Sequence, residues 1–306
     1  MAQARLPLTV SPADAVLLLV TLLAAAGWLF SKAVLQFMPP LLFMALRFGL
    51  SGLLLLALAR SQGQVLPQHG LRSCARGGCL LGVAMMFWIS GLQLSSNLGV
   101  AAFISSLGIV LAPFAARLLF AVPLSRAAWG AMLCAGLGMA CMSLRGDGTV
   151  HAADWLLLLA AAGQAAYLAA NSRDMARLPV LLAIALQLLV AALWCLAGSV
   201  LLESWQAVSL LQGWLPLAAS VLLATCLRFV LQGWGQGRMP VARSAFILLL
   251  EPVWTALLAA WWFGTGFAPQ QWLGAALVLA ALLLSRRRPR RPSSLPPPVP
   301  CGRTGQ

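Results

Sequence analysis

Ten separate stretches of this chain are each long and apolar enough to cross a lipid bilayer, and no other feature restricts its fold as strongly. A spanning helix needs about 17 to 25 mostly apolar residues. Windows of that kind fall at 14–36, 40–60, 77–94, 97–120, 126–144, 153–171, 178–202, 209–233, 240–263 and 269–285. The expected class is all-α integral membrane with ten transmembrane helices. Composition decides against a soluble domain: only 8% of residues are charged and the mean hydropathy is +0.92, whereas soluble domains are about one quarter charged. The start, "MAQARLPLTVSPADAVLLLVTLLAAAGW", superficially resembles a secretory signal. Asp14 at the membrane entrance and the apolar segments that follow favour a retained first helix.

The charge balance, Lys plus Arg 20 against Asp plus Glu 6, sets orientation. A nucleic-acid face needs positive charge clustered on a folded surface, whereas here it lies in short loops and one tail, so no nucleic-acid partner is expected. Short loops rich in Lys and Arg stay in the cytoplasm. With the N-terminus inside, the inner segments hold Arg5, Arg60, Arg72, Arg76, Arg126, Arg173, Arg177, Arg238 and the tail arginines from Arg286 to Arg303, and the outer loops hold Arg145 alone. Both termini are therefore expected in the cytoplasm. Residues 287–306 read as a disordered, basic, Pro-rich tail, either a simple stop signal or a contact for anionic lipid.

The chain also repeats itself. "SSLGIVLAPFAARLLFAVPLSRAAWGAML" and "LLLEPVWTALLAAWWFGTGFAPQQWLGAAL" share one rhythm: apolar run, proline, small residues, polar turn, then Trp, Gly and Ala. The fourth and fifth crossings thus echo the ninth and tenth. Two units of five crossings enter the membrane in opposite senses, the inverted-repeat plan of secondary transporters. The expected halves are 1–146 and 147–286, with the break near "LRGDGTVHAAD".

Binding sites of inverted-repeat transporters concentrate near mid-bilayer, and one acid sits at that depth. Glu251, in "FILLLEPVWTALL", lies about eleven residues into its segment, roughly 16 Å deep at 1.5 Å per residue. Pro252 beside it lacks a backbone donor and is expected to kink the helix. Intramembrane acids face a cavity or a partner. Glu251 is thus either a coupling or substrate-binding acid, able to exchange a proton in apolar surroundings, or a staple to Arg47, Arg228 or a hydroxyl. Lys32 and Arg47 either snorkel to the outer face or line the cavity and attract a carboxylate. Arg228, Arg243 and Arg117 lie closer to the inner face, where snorkelling is favoured. Uncharged candidates are Trp88, Gln93, Ser105, Ser106, Gln164, Tyr167, Gln187 and Trp254. Gln164 and Tyr167, three apart, share a helix face. Polar residues of this kind often bond a neighbouring helix instead of a ligand. Five cations against one deep acid favour a substrate bearing a carboxylate. Gly78 and Gly82 form a GxxxG spacing that allows close helix contact. The cysteines at 74, 79, 134, 141, 195, 226 and 301 show no paired metal spacing, so no disulfide, metal or other cofactor is expected.

Taken together, "AAAGWLFSKAVLQFMPPLLFMALRFGLSGLLLL", "GLQLSSNLGVAAFISSL" and above all "GRMPVARSAFILLLEPVWTALLAAWWFG" followed by "QQWLGAALVLAALLLS" resemble the EamA family of the drug/metabolite transporter superfamily, across nearly the whole chain. The resemblance implies a ten-helix secondary transporter of the bacterial inner membrane. Such proteins are most often exporters of small metabolites such as amino acids or their derivatives, including amino-acid-derived metal chelators. Family members commonly carry an acid in the turn after the fourth and ninth helices. This chain has "AVPLS" and "GTGFAP" there, so that acid's role does not carry over. A passive facilitator remains the alternative. A polytopic enzyme is disfavoured because His69 and His151 are placed on opposite membrane sides and no acid–base cluster forms. ATP hydrolysis is disfavoured because the one lysine, Lys32, is not part of a phosphate-binding loop.

Overall fold

The computed structural model describes residues 11–68, 70–121, 124, 126–143, 151–174, 178–205, 210–236, 238, 247–248, 250–264 and 269–285. These residues fold as helices with no strand among them. The helices are α1 (Pro12–Val34), α2 (Pro40–Ser61), α3 (Gly70–Leu94), α4 (Leu98–Phe120), α5 (Arg126–Ser143), α6 (Ala152–Asp174), α7 (Val180–Leu202), α8 (Leu210–Val221), α9 (Arg228–Gln236), α10 (Glu251–Phe263) and α11 (Pro269–Ser285). A π-helical segment, Leu222–Leu227, joins α8 to α9 in one continuous rod. Seven stretches have the length and apolarity to cross a membrane: Pro12–Val34, Pro40–Ser61, Gly70–Leu94, Leu98–Phe120, Ala152–Asn171, Val180–Leu202 and Gly213–Gln232. The protein is thus a multi-pass membrane protein. The other three expected crossings correspond to α5, α10 and α11, whose described apolar stretches are shorter.

Two boundaries differ from expectation for physical reasons. α3 begins at Gly70 and not near 77, because helix continues through "GLRSCAR", where Arg72 is exposed beyond the apolar stretch. Among the described residues of the segment expected over 240–263, Ile247 and Leu248 are helical and, after a turn at Leu250, a helix runs from Glu251 to Phe263. Pro252 lies in the first turn of α10, where a missing N–H leaves no helical bond unmade, just after the turn at Leu250 that separates α10 from the helical residues Ile247 and Leu248. Arg243, His69, Arg145, the break at 144–150 and the tail lie outside the described residues.

Local chemistry fixes the helix ends. Ser11 and Asp14 form a capping box on α1, with the Ser11 N–H donating to Asp14 Oδ2 at 2.8 Å and the Asp14 N–H to Ser11 Oγ at 3.2 Å. Asn97 caps α4 by accepting from the Val100 N–H at 3.1 Å. α4 and α10 both end on a left-handed residue, Ala121 with φ 55° and Gly264 with φ 65°. α2 begins after Pro39 and exposes the free N–H groups of Leu41 and Leu42. Glu203, just beyond α7, accepts both, at 2.7 and 3.1 Å. At the other end of the same helix pair, Gln64 beyond α2 accepts the Leu182 N–H of α7 at 3.1 Å. Each helix end is capped by the residue that follows its neighbour.

Packing is pairwise. α2 lies along α7, α5 along α11, α6 against both α3 and α4, and α1 against α8, α9 and α10. The GxxxG pair works as expected: a Cβ on Gly78 would fall 2.5 Å from Val190 Cβ, and one on Gly82 would fall 2.9 Å from Trp194 Cβ. Only a hydrogen at these two positions lets α3 approach α7 this closely.

Candidate functional site

Between these pairs lies a cavity of about 540 Å³, walled by α1, α2, α3, α4, α6, α7, the π segment, α9 and the start of α10. Its volume is in the range that holds a small organic ligand, roughly 300–1,000 Å³. One pole is charged. Arg47 of α2 is 8% exposed; its Nε donates to Thr225 Oγ1 at 3.0 Å and its Nη1 to Ser31 Oγ at 3.0 Å. Both hydroxyls spend their own proton on backbone, Ser31 on the Gly27 carbonyl and Thr225 on the Ser220 carbonyl five residues back. Their lone pairs are what Arg47 receives. The π segment presents Thr225 at this point; a Cβ on Gly27 of α1 would fall 2.8 Å from Ala224 Cβ, so the two elements touch along the cavity wall.

Glu251 is the acid of this pole. Its Oε1 accepts from Trp28 Nε1 at 3.3 Å and its Oε2 from Arg228 Nη2 at 3.4 Å. Glu251 and Arg228 side chains are each about one quarter exposed, so both reach the open space. Trp28 stacks edge to face on Trp88, with centroids 4.9 Å apart, forming an apolar wall beside the acid. The opposite pole is neutral. The Tyr167 hydroxyl donates to Gln187 Oε1 at 2.9 Å, and Gln187 Nε2 donates to Asn171 Oδ1 at 2.8 Å. Gln164 and Tyr167 share the cavity-facing side of α6 with Asn171. Ser105 Oγ, on the α4 wall and 8% exposed as a residue, has no hydrogen-bond partner among the described residues.

Of the residues singled out from sequence, Glu251, Pro252, Arg47, Trp88, Ser105, Ser106, Gln164 and Tyr167 come together on the cavity, and Lys32, Gln93 and Trp254 do not. Lys32 does not line the cavity. Its Nζ donates to the carbonyls of Leu92, Gln93 and Ser95 at 2.8, 3.2 and 2.7 Å, because the end of α3 offers free carbonyls within reach of its stem. The Gln93 side chain is exposed, and Trp254 is half-buried away from the cavity. Gln187 is buried behind Tyr167. Of the two readings of Arg228, snorkelling or a staple to Glu251, the ion pair with Glu251 on α10 is the contact present. Arg117 is exposed in the last turn of α4. Sequence reasoning missed Trp28, Asn171, Thr225 and Gln232 as lining residues. A signal existed, because Thr225, Arg228 and Gln232 stand at offsets of three and seven, one polar stripe on a helix.

The profile of the EamA-like transporter family matches this chain twice, over residues 11–144 and 151–287. An "Uncharacterized transporter YwfM" from Bacillus subtilis (strain 168) is 33% identical over 70 residues, which are 23% of this chain and 24% of that protein. The chain thus matches about a quarter of that relative's length. A solved structure, "Crystal structure of protein", superposes with a TM-score of 0.62 over 90% of this chain and 99% of that one at 20% identity, a likeness of fold alone.

Proposed function

The chain belongs to the EamA-like transporter family, and on that premise we propose that it is a secondary transporter that exports a small, carboxylate-bearing metabolite by alternating access around this cavity. An amino acid or an amino-acid-derived compound, metal chelators among them, is the cargo class. The protein resides in the bacterial inner membrane with both termini in the cytoplasm. Ten crossings form two inverted repeats, 1–146 and 147–286.

Several features support this arrangement. Pairing each of the first five crossings with the one five crossings later gives several main contacts a counterpart: α2 on α7 and α5 on α11 pair with themselves, and α3 on α6 exchanges with α1 on the α8–α9 rod, whereas α3 on α7 and α4 on α6 are more extensive than their counterparts. The left-handed ends at Ala121 and Gly264 correspond in the same way. Arg60, Arg72, Arg126 and Arg238 all stand at ends assigned to the cytoplasmic side.

The substrate class rests on one observation: Arg47 is buried on the cavity wall with two hydroxyls as its partners, while Glu251 is engaged by Arg228. An arginine at mid-bilayer costs about 2.5–3.5 kcal/mol or more. Interhelical hydrogen bonds in membranes return about 0.6 kcal/mol each, so two hydroxyls offset less than half of it. A substrate carboxylate supplies the missing counter-charge. Counterflow in proteoliposomes tests the reading: unlabelled carboxylate inside should accelerate entry of labelled carboxylate. Entry that ignores internal substrate would instead make the protein a passive facilitator.

A further inference from the structure

We propose that Ser31 and Thr225 are positioning residues for the substrate's carboxylate: they hold Arg47 by two of its nitrogens and so aim the third, Nη2, at the cargo. The proposal rests on the carboxylate reading above and adds what orients the cation that recognises it. A guanidinium offers N–H donors on three nitrogens in one rigid plane. Nε and Nη1 of Arg47 are spent on Thr225 and Ser31. Nη2 has no partner among the described residues and is not sealed in by protein. It stands against the small face of α1, 3.6 Å from where a Cβ on Gly27 would lie. The buried Phe43 ring, its centroid 5.9 Å from Arg47 Cζ, packs on the guanidinium as well. The two hydroxyls do not serve as ligands themselves. Both residues are buried, and each hydroxyl already donates to a backbone carbonyl. What remains to them is a lone pair, and Arg47 takes it.

The π segment is what brings Thr225 to this place. Among the described residues the α8–α9 rod lines the cavity only from Ala224 on. A π turn holds more residues than an α turn, and each extra residue rotates everything after it by about 100° around the axis. Thr225, Arg228 and Gln232 face the cavity as a result. The Thr225 hydroxyl reaches the Ser220 carbonyl five residues back, at 2.9 Å, whereas in an α-helix it bonds a carbonyl three or four back. α2 grips the same turn one step further along, where Ser51 Oγ donates to the Val221 carbonyl at 3.5 Å. Three elements, α1, α2 and the π segment, thus meet around one guanidinium and leave one amino group of it for a ligand. A side chain ordered before binding spares the ligand the cost of ordering it, which corresponds to about 2- to 10-fold in affinity.

The test uses the purified full-length protein in detergent, titrated calorimetrically with 3-phenylpropionate and with its neutral amide at about pH 7, where the acid is ionised. The expected wild-type result is preference for the acid. Thr225→Val keeps the shape and removes the hydroxyl; it should weaken the acid by about 2- to 10-fold and leave the amide unchanged. Thr225→Ser, which keeps the hydroxyl, should restore the preference. Ser31→Ala, on a different helix, should repeat the Thr225→Val result and decides in its place if that variant fails to fold. Acid bound by Thr225→Val at wild-type affinity or more tightly overturns the positioning role, and so does equal weakening of acid and amide, which marks a structural role only; both leave the carboxylate reading standing. Equal affinity of the wild type for acid and amide, or no binding of either, overturns that reading and the positioning role with it.

Discussion

Glu251 stands at the first residue of α10, and its oxygens hold one residue from each half of the chain, Trp28 and Arg228. Glu251→Gln removes the carboxylate charge that Arg228 engages while keeping the shape. If Glu251 is the coupling acid, transport in proteoliposomes should then lose its response to an imposed pH gradient, whereas substrate binding survives; uptake that still follows the gradient would place the coupling elsewhere. Arg47 carries a separate prediction. A charge-assisted hydrogen bond to a guanidinium contributes about 1.5–3 kcal/mol, so Arg47→Ala should cut transport of a carboxylate by about 10- to 150-fold and leave its amide nearly unchanged. Equal loss for both would mark a folding defect. Both residues were legible in the sequence because each is a charge within a long apolar run. The fate of Lys32 was not, since it depends on where α3 ends and which carbonyls that end leaves free. Arg228 stayed open between snorkelling and a staple to Glu251, because sequence does not show that α9 runs beside the start of α10.

At the scale of helices, two devices hold the frame. Gly78 has no room for a side chain against Val190 and the Gln187 carbonyl. Gly78→Leu should therefore destabilise the protein by about 1–3 kcal/mol through overpacking, read as a lower unfolding midpoint in detergent. The same change at Gly130, which has nothing within 4 Å, should leave the midpoint in place. Glu203 closes the start of α2 with both oxygens. Glu203→Ala should cost about 1 kcal/mol, the usual loss of a helix cap. The GxxxG spacing was readable from sequence because it is local. The cross-capping by Glu203 and Gln64 was not, because it joins ends that lie far apart along the chain. Pro252 was legible as a place where the helix changes course, because it lacks a backbone donor; that α10 takes it in its first turn depends on the turn at Leu250, which sequence does not show.

Across the whole molecule, apolar length sufficed to place most helices within a few residues, because a bilayer imposes that length directly. What it could not place was the empty space between them. Which polar residues meet depends on how each helix is rotated about its axis, and the apolar faces here are nearly uniform around the helices, so periodicity says little. The cavity and its charged pole are consequently the features on which the functional account depends. Accessibility tests them most directly. In a variant with the seven native cysteines replaced, Ser106→Cys places a thiol on the cavity wall, and Leu193→Cys places one on an outer face that is 65% exposed in the protein and covered by lipid in a membrane. The account predicts that a charged, membrane-impermeant thiol reagent modifies position 106 in intact vesicles, that a bound carboxylate slows the reaction, and that position 193 stays unmodified. Position 106 resisting the reagent from both sides of the membrane would contradict it.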